Sequence, residues 1–329
     1  MSTSASFDFD AGLTPFLHSH VHSVMGAFGL NASILDSANL GWKLGLTCNK
    51  RAKVDVIMPT YEQERRRHGE RIIEMTGTYL RFVCASNMPP VKLGGVGTEE
   101  REEGPIKVID EDPTIEDPDK RHLNKFFANN MNFLLGIDCE YGHTVLTPTR
   151  NPANPLSLDN VQPDKATVVR WGVRAPNPRL SYNKDATGYL YDLLGRGSKL
   201  TVVLFGSDFQ GTAGARVAKF AQHIAQPTSF AQRWSDLIDV VVLTKLLPVD
   251  LEEFLAQDSE EARAIKGLVE SAARVGYDDE LPGKDAHSVY GVNHAKGAAV
   301  VIRPDLWTGI SVFPDEGHAL DQYFGRFLL

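Results

Sequence analysis

Leu200-Thr-Val-Val-Leu-Phe205 is a six-residue run, rich in apolar side chains and free of charge, the pattern of a strand covered on both faces. Downstream, Ala215 to Ile224 has the periodicity of a short helix, and Asp239-Val-Val-Val-Leu-Thr244 repeats the buried-strand pattern. Glu260 to Val275 is predicted as a helix. Gly297-Ala-Ala-Val-Val-Ile302 and Thr308 to Val312 predict a hairpin around Arg303-Pro304-Asp305, and a helix is expected from His318 to Leu328.

The resulting order, βαβαββα, is that of a thioredoxin-like domain. Where a redox pair would follow the first strand, the chain has Gly206-Ser207-Asp208-Phe209, and no proline precedes the third strand. The three cysteines, Cys48, Cys84 and Cys139, form no CxxC pair. Thiol–disulfide chemistry needs thiolates, so an interaction or dimerisation role is expected for this half.

Upstream, Gly26-Ala27-Phe28-Gly29-Leu30-Asn31 leads into a helix predicted over Ser33 to Leu46. Ile34, Ala38, Trp42 and Leu46 share one face at i+4 spacing and read as its core stripe. Ser37, Gly41 and Gly45 form a small-residue stripe beside it, suggesting close approach of another backbone. A second helix should start at Pro59, with core positions Tyr61, His68, Ile72, Met75, Tyr79 and Phe82 and a solvated face of Glu62/Arg66/Glu70 pairs. Ser86 to Lys120 reads as a long acidic loop, Phe133 to Asp138 as a strand, and 148–180 as a linker or crossing segment.

The chain has 329 residues and a formal net charge of −8, which argues against nucleic acid or an anionic membrane as partner. No apolar run approaches the ~20 residues that span a bilayer. The N-terminus has no basic leader, and the first Lys is Lys43, so a cytoplasmic location is expected. His18, His20 and His22 alternate, as metal ligands on a strand would, but no further ligand set accompanies them, and no metal is expected.

The run from His20 through Gly26-Ala-Phe-Gly-Leu-Asn31 and Asp36-Ser-Ala-Asn-Leu-Gly-Trp-Lys-Leu44 resembles the second flavin-binding motif of class A FAD-dependent aromatic monooxygenases. Thr60-Tyr-Glu-Gln-Glu-Arg-Arg66 is similar to the helix that follows it in that family. Gly172-Val-Arg-Ala-Pro-Asn-Pro178, Asp192-Leu-Leu-Gly195, Tyr290-Gly-Val292 and Ala298 to Asp305 resemble the C-terminal domain of the phenol hydroxylase group. The resemblance covers nearly the whole chain after His20.

The resemblance implies an α/β protein: a partial, mainly helical FAD domain followed by a thioredoxin-like βαβαββα domain. Its expected divisions are an irregular 1–17, FAD-domain residues 18–85, an acidic loop and linker over 86–165, and the thioredoxin-like domain over 166–329. It also implies FAD as cofactor, NADPH as co-substrate, an aromatic small-molecule substrate and a homodimer formed through the C-terminal domain. Gly26, Gly29, Leu30, Asn31 and Ala32 would lie beside the flavin, with backbone N–H groups facing its pyrimidine edge; no catalytic side chain is assigned.

Two departures accompany the likeness. Phe16 and Leu17 stand where the family has a Gly-Asp pair that contacts FAD, and no GxGxxG follows a strand anywhere. FAD binding by this chain alone is therefore expected to be weak or absent, and the chain is not expected to be active by itself. The alternative is a non-catalytic dimerising or partner-binding protein built on the thioredoxin-like domain.

Overall fold

The computed structural model describes residues 29–83, 114, 118–149, 166–182, 186–195 and 199–329. Phe16, Leu17, Gly26 and the alternating histidines lie outside these residues, as does nearly all of the acidic loop. The chain divides into two compact units, one of Met1–Leu40 and Pro59–Cys139, the other of Gly41–Met58 and Glu140–Leu329.

In the first unit, helix α1 (Gly29–Cys48) contributes its first twelve residues. A four-residue helix α2 (Val54–Ile57) belongs to the other unit, and α3 (Pro59–Val83) starts at the expected proline. Tyr61, His68, Ile72 and Met75 of α3 are buried as expected; the side chains of Tyr79 and Phe82 lie outside the described residues. The outer face carries Arg66 with Glu62 at 3.0 Å and Glu70 at 3.1 Å, both solvent-exposed i,i+4 pairs worth a few tenths of a kcal/mol.

Helix α4 (Pro118–Leu134) replaces the strand expected over Phe133 to Asp138. The apolar run there is the last turn of a helix and its cap. Gly136 takes φ +73°, and the Ile137 N–H reaches back to the Asn132 carbonyl, closing a Schellman-type end. A Cβ at Gly136 would lie 2.6 Å from Leu35, so the glycine also makes room for α1.

The second unit is built on a seven-stranded mixed sheet in the order β2-β1-β5-β4-β3-β6-β7. Its strands are β1 (Arg179–Ser181), β2 (Thr187–Tyr189), β3 (Leu200–Phe205), β4 (Ile238–Thr244), β5 (Arg274–Tyr277), β6 (Ala298–Ile302) and β7 (Thr308–Val312). Within it, β4-β3-β6-β7 is the thioredoxin-like core: β3 and β4 parallel, β6 antiparallel to β3, and β7 antiparallel to β6. The connecting helices are α5 (Leu190–Leu193), α6 (Gly214–Ile224), α7 (Phe230–Arg233), α8 (Pro248–Leu255), α9 (Glu260–Ser271), α10 (Ala286–Tyr290) and α11 (Gly317–Phe327).

The helix expected to run to Val275 ends instead at Ser271, and Arg274 to Tyr277 pair with β4 as a parallel strand. A continuing helix would leave that edge of β4 without partners; the strand satisfies it. Alternation along β3 divides the core. Val202 and Leu204 face one cluster with α6, α9 and α11, while Val203 and Phe205 face the other with Leu190, Leu193 and Tyr290.

The last residues of α1 pack into this unit. Trp42, Leu46, Ala52 and Ile57 join the cluster around Phe324, Phe327 and Leu328. Ala52 bridges Leu328 in antiparallel fashion, and the Lys53 N–H donates to the Phe327 carbonyl at 2.8 Å. Arg303, at the hairpin turn, is held by Asp305 through Nε at 3.0 Å and Nη2 at 2.6 Å. Its guanidinium lies 5.5 Å from the Trp42 ring centre and 5.3 Å from that of Tyr141, a cation–π arrangement at both rings.

Candidate functional site

Helix α1 begins at Gly29, so Gly29, Leu30, Asn31 and Ala32 form its first turn. The backbone N–H groups at a helix start have no acceptor within the helix, and they concentrate the positive end of its dipole. No acidic side chain lies in this turn to neutralise that charge. Leu30 is 71% exposed and Ala32 is buried. The positive end of such a helix favours an electron-rich carbonyl or an anionic ring edge. Four of the five residues expected beside a flavin are brought together here; Gly26 lies outside the described residues.

What orients this helix is a set of buried polar contacts. Asp36 accepts from Arg65 Nε, and Asn39 Nδ2 donates to Glu64 Oε2 at 2.7 Å. All four side chains are buried. The buried stripe of α1 is accordingly Ala32, Asp36, Asn39, Lys43 and Leu46, together with Trp42. That corrects the expected core stripe: Ile34 is 57% exposed and Ala38 is exposed, because ion-pair and amide contacts, not apolar periodicity, set the rotation of the helix. Among the described residues nothing lies within 4 Å of a Cβ built at Gly41 or Gly45, so no described backbone approaches the small-residue stripe closely there.

Near this lattice, His68 is buried with no hydrogen-bond partner at Nδ1, and its Nε2 is 4.0 Å from Cys139 Sγ. Burial, then the charges of Arg65 and Arg71, hold its pKa down at about 2. It is a neutral histidine packed against Phe133.

In the second unit, the loop after β3 is closed by a different network. Ser207 takes φ +54°, and its N–H donates to His287 Nε2 at 3.0 Å. That bond makes Nε2 the unprotonated nitrogen, so Nδ1–H donates to Asp278. The Ser207 carbonyl accepts from Lys245 N–H and Thr244 Oγ1. Asp278, Asp285 and His287 are close enough together for a metal ion, but Lys245 Nζ lies 2.8 Å from Asp285 and 3.4 Å from Asp278. The cation these carboxylates require is supplied by the chain. Burial lowers the pKa of His287, while Asp278 opposes that shift. Where thioredoxins carry thiols, this domain carries a buried structural lock; the sequence signal for it was only the absence of cysteine.

Comparison with known proteins places these features. The family described as "Phenol hydroxylase, C-terminal dimerisation domain" matches residues 139–329, and "FAD binding domain" matches residues 19–76. The chain belongs to the class A flavin monooxygenase family, in the group that carries the phenol hydroxylase C-terminal domain. Among its relatives is an FAD-dependent monooxygenase of Aspergillus terreus, 38% identical over 93% of this chain and 41% of that protein. The 3-hydroxybenzoate 4-monooxygenase of Comamonas testosteroni is 24% identical over 94% of this chain and 45% of its own length. The chain spans less than half the length of these two relatives. Among solved structures, aklavinone-11 hydroxylase in complex with FAD and aklavinone covers 93% of this chain at TM-score 0.48 and 17% identity, and the chain covers 41% of it.

Proposed function

We propose that this chain works as part of an FAD-, NADPH- and O2-dependent hydroxylase of phenolic or other aromatic rings, and that it supplies contacts to the flavin ring system. The observation that carries this reading is the first turn of α1, within the matched FAD-binding segment, with no acidic side chain in the turn. Bound FAD, reduced by NADPH, supplies the oxygen chemistry of such enzymes.

The chain's own part is positional and electrostatic. The helix start at Gly29, Leu30, Asn31 and Ala32 would lie beside the pyrimidine edge, and the positive end of its dipole would stabilise negative charge there. Asp36–Arg65 and Asn39–Glu64 keep the helix at the rotation that presents this turn. The donor set fits the ring end of FAD. The ADP half has no holder in this sequence, since GxGxxG is absent and Phe16 and Leu17 replace the Gly-Asp pair. The thioredoxin-like half serves assembly: it forms the homodimer, and its locked loop gives it no redox role.

Riboflavin and ADP separate the two halves of the cofactor. Titrating the chain into riboflavin should quench flavin fluorescence weakly and saturably, with ADP unable to compete. Displacement by ADP, or no quenching at any concentration, overturns the assignment.

A further inference from the structure

We propose that Arg303 is a positioning residue for the flavin contact: its guanidinium, stacked on Trp42, holds the end of α1 so that the first turn at Gly29 to Ala32 keeps its direction. The inference rests on the reading of that turn as the flavin contact, and it names what aims it. α1 is one unbroken helix over Gly29–Cys48, and its residues from Gly41 onward belong to the second unit. Trp42 stands about 20 Å along the helix axis from the first residue. A helix of that length without a proline is stiff, so a direction fixed at Trp42 is passed to Gly29.

Trp42 is buried, yet its indole N–H has no hydrogen-bond partner. A buried indole ordinarily finds one, so this ring is held by what meets its face. Two cations do. Lys43 Nζ lies 5.8 Å from the ring centre, but Lys43 is the next residue of the same helix and moves with it. Arg303 Cζ, at 5.5 Å, comes from the turn after β6 and can therefore tie the helix to the sheet. The apolar neighbours Leu46, Ala52 and Ile57 contribute burial, which has no direction.

The guanidinium is itself firmly seated. Asp305 grips it through Nε at 3.0 Å and Nη2 at 2.6 Å, and both side chains are buried. The Arg303 N–H donates to the Trp307 carbonyl, and the Arg303 carbonyl accepts from the Leu306 N–H, both at 2.9 Å. Gly172 and Val173 bond Thr308, and Ala175 bonds Leu306, so a neighbouring segment steadies the turn. The Gly172 carbonyl also accepts from the Tyr141 N–H at 2.8 Å, and the Tyr141 ring lies 5.3 Å from the guanidinium and stacks on Trp307 at 5.1 Å. Gly172, left-handed at φ +83°, permits this: a Cβ there would stand 2.5 Å from the Tyr141 carbonyl oxygen. Burying an ion pair seldom adds net stability, so a short turn gains little from one for its own sake. What this pair supplies is a planar cation in one orientation, which fits the face of an indole.

Amide NMR of the full 329-residue chain, with riboflavin as probe and circular dichroism reporting the fold, tests this. The readout is the initial slope of the Gly29 to Ala32 amide shifts against riboflavin concentration. Losing the contact lowers the population of the aimed helix, so the slope should fall about tenfold in Trp42→Leu. Trp42→Phe keeps a ring face for the guanidinium and should restore the slope to within about twofold of wild type. Arg303→Met/Asp305→Leu removes both charges together, leaves no carboxylate unpaired, and should also lower the slope about tenfold. Adding Trp42→Leu to that variant should lower it no further, because the side chains serve one contact. Folded Trp42→Leu or Arg303→Met/Asp305→Leu chains with the wild-type slope overturn the positioning role, as does a Trp42→Phe slope as low as that of Trp42→Leu. A wild type whose first turn does not respond to riboflavin overturns the flavin reading, and this inference with it.

Discussion

Asn39 donates to Glu64 across 2.7 Å of buried space, and with that bond two sequence motifs 25 residues apart become one structural element. The motif containing Asp36 and Asn39 and the motif containing Glu64 and Arg65 each read as flavin-family signatures. The structure shows them bonded to each other, so their polar side chains fix a helix.

Removing one side of this lattice should be costly. Arg65→Met takes the guanidinium from the buried Asp36 carboxylate and should destabilise the first unit by about 3–5 kcal/mol. Asn39→Leu should cost about 1–3 kcal/mol through loss of the Glu64 contact. The double variant Asp36→Leu/Arg65→Met should recover part of the single loss, because the Asp36 carboxylate is no longer buried without its guanidinium. Urea unfolding followed by far-UV circular dichroism measures all three; a single Arg65→Met variant as stable as wild type contradicts the arrangement.

Acid should weaken the first unit through His68. Its folded-state pKa is held at about 2, below the ordinary 6.5, so only the unfolded chain takes up the proton as pH falls. Stability is full above about pH 6.5 and declines below it, with a loss of about 2 kcal/mol at pH 5 from this group. His68→Gln should flatten the decline between pH 7.5 and 5, a window above the carboxylate range. His287, also shifted down by burial, acts with the same sign in the second unit. An unchanged slope in His68→Gln would show the histidine to be protonated in the fold.

The strained serine offers a gain of stability. Ser207 adopts φ +54° and its hydroxyl has no hydrogen-bond partner, while its N–H and carbonyl are both used. Ser207→Gly keeps those backbone bonds and relieves a left-handed conformation, so it should stabilise by about 1 kcal/mol. Ser207→Val should do the reverse. Thermal unfolding of both variants decides the sign.

Gly41 and Gly45 meet nothing where a Cβ would stand, so Gly41→Ala and Gly45→Ala should each strengthen α1 by up to about 1 kcal/mol. Hydrogen exchange gives the companion measurement. With Leu30, Ile34 and Ala38 exposed, amides of residues 33–40 should exchange faster than those of β3. Slower exchange in α1 would mean that this face has a cover.

The sequence made the four core strands β3, β4, β6 and β7 legible because each is a run of buried apolar and β-branched side chains. Strand β5 escaped because Arg274-Val-Gly-Tyr277 offers too little apolar pattern and follows a helix without a strong stop. Phe133 to Asp138 misled for the opposite reason: an apolar run at a helix end looks like a strand until the left-handed Gly136 is seen. The rotation of α1 was hidden because its buried face carries Asp36, Asn39 and Lys43, which periodicity counts as polar. The helix start at Gly29 was legible only as a motif; the Asp36–Arg65 and Asn39–Glu64 bonds beneath it join positions more than twenty residues apart, which no local pattern pairs.

In the proposed function the first turn of α1 lies against a flavin ring. Backbone amide NMR of the chain, with riboflavin added at increasing concentration, reads that turn directly. The amides of Gly29, Leu30, Asn31 and Ala32 should shift progressively, while those of β3 and of the Ser207–His287 lock stay in place. Shifts confined to the second unit, or none in this turn at saturating riboflavin, would contradict the account.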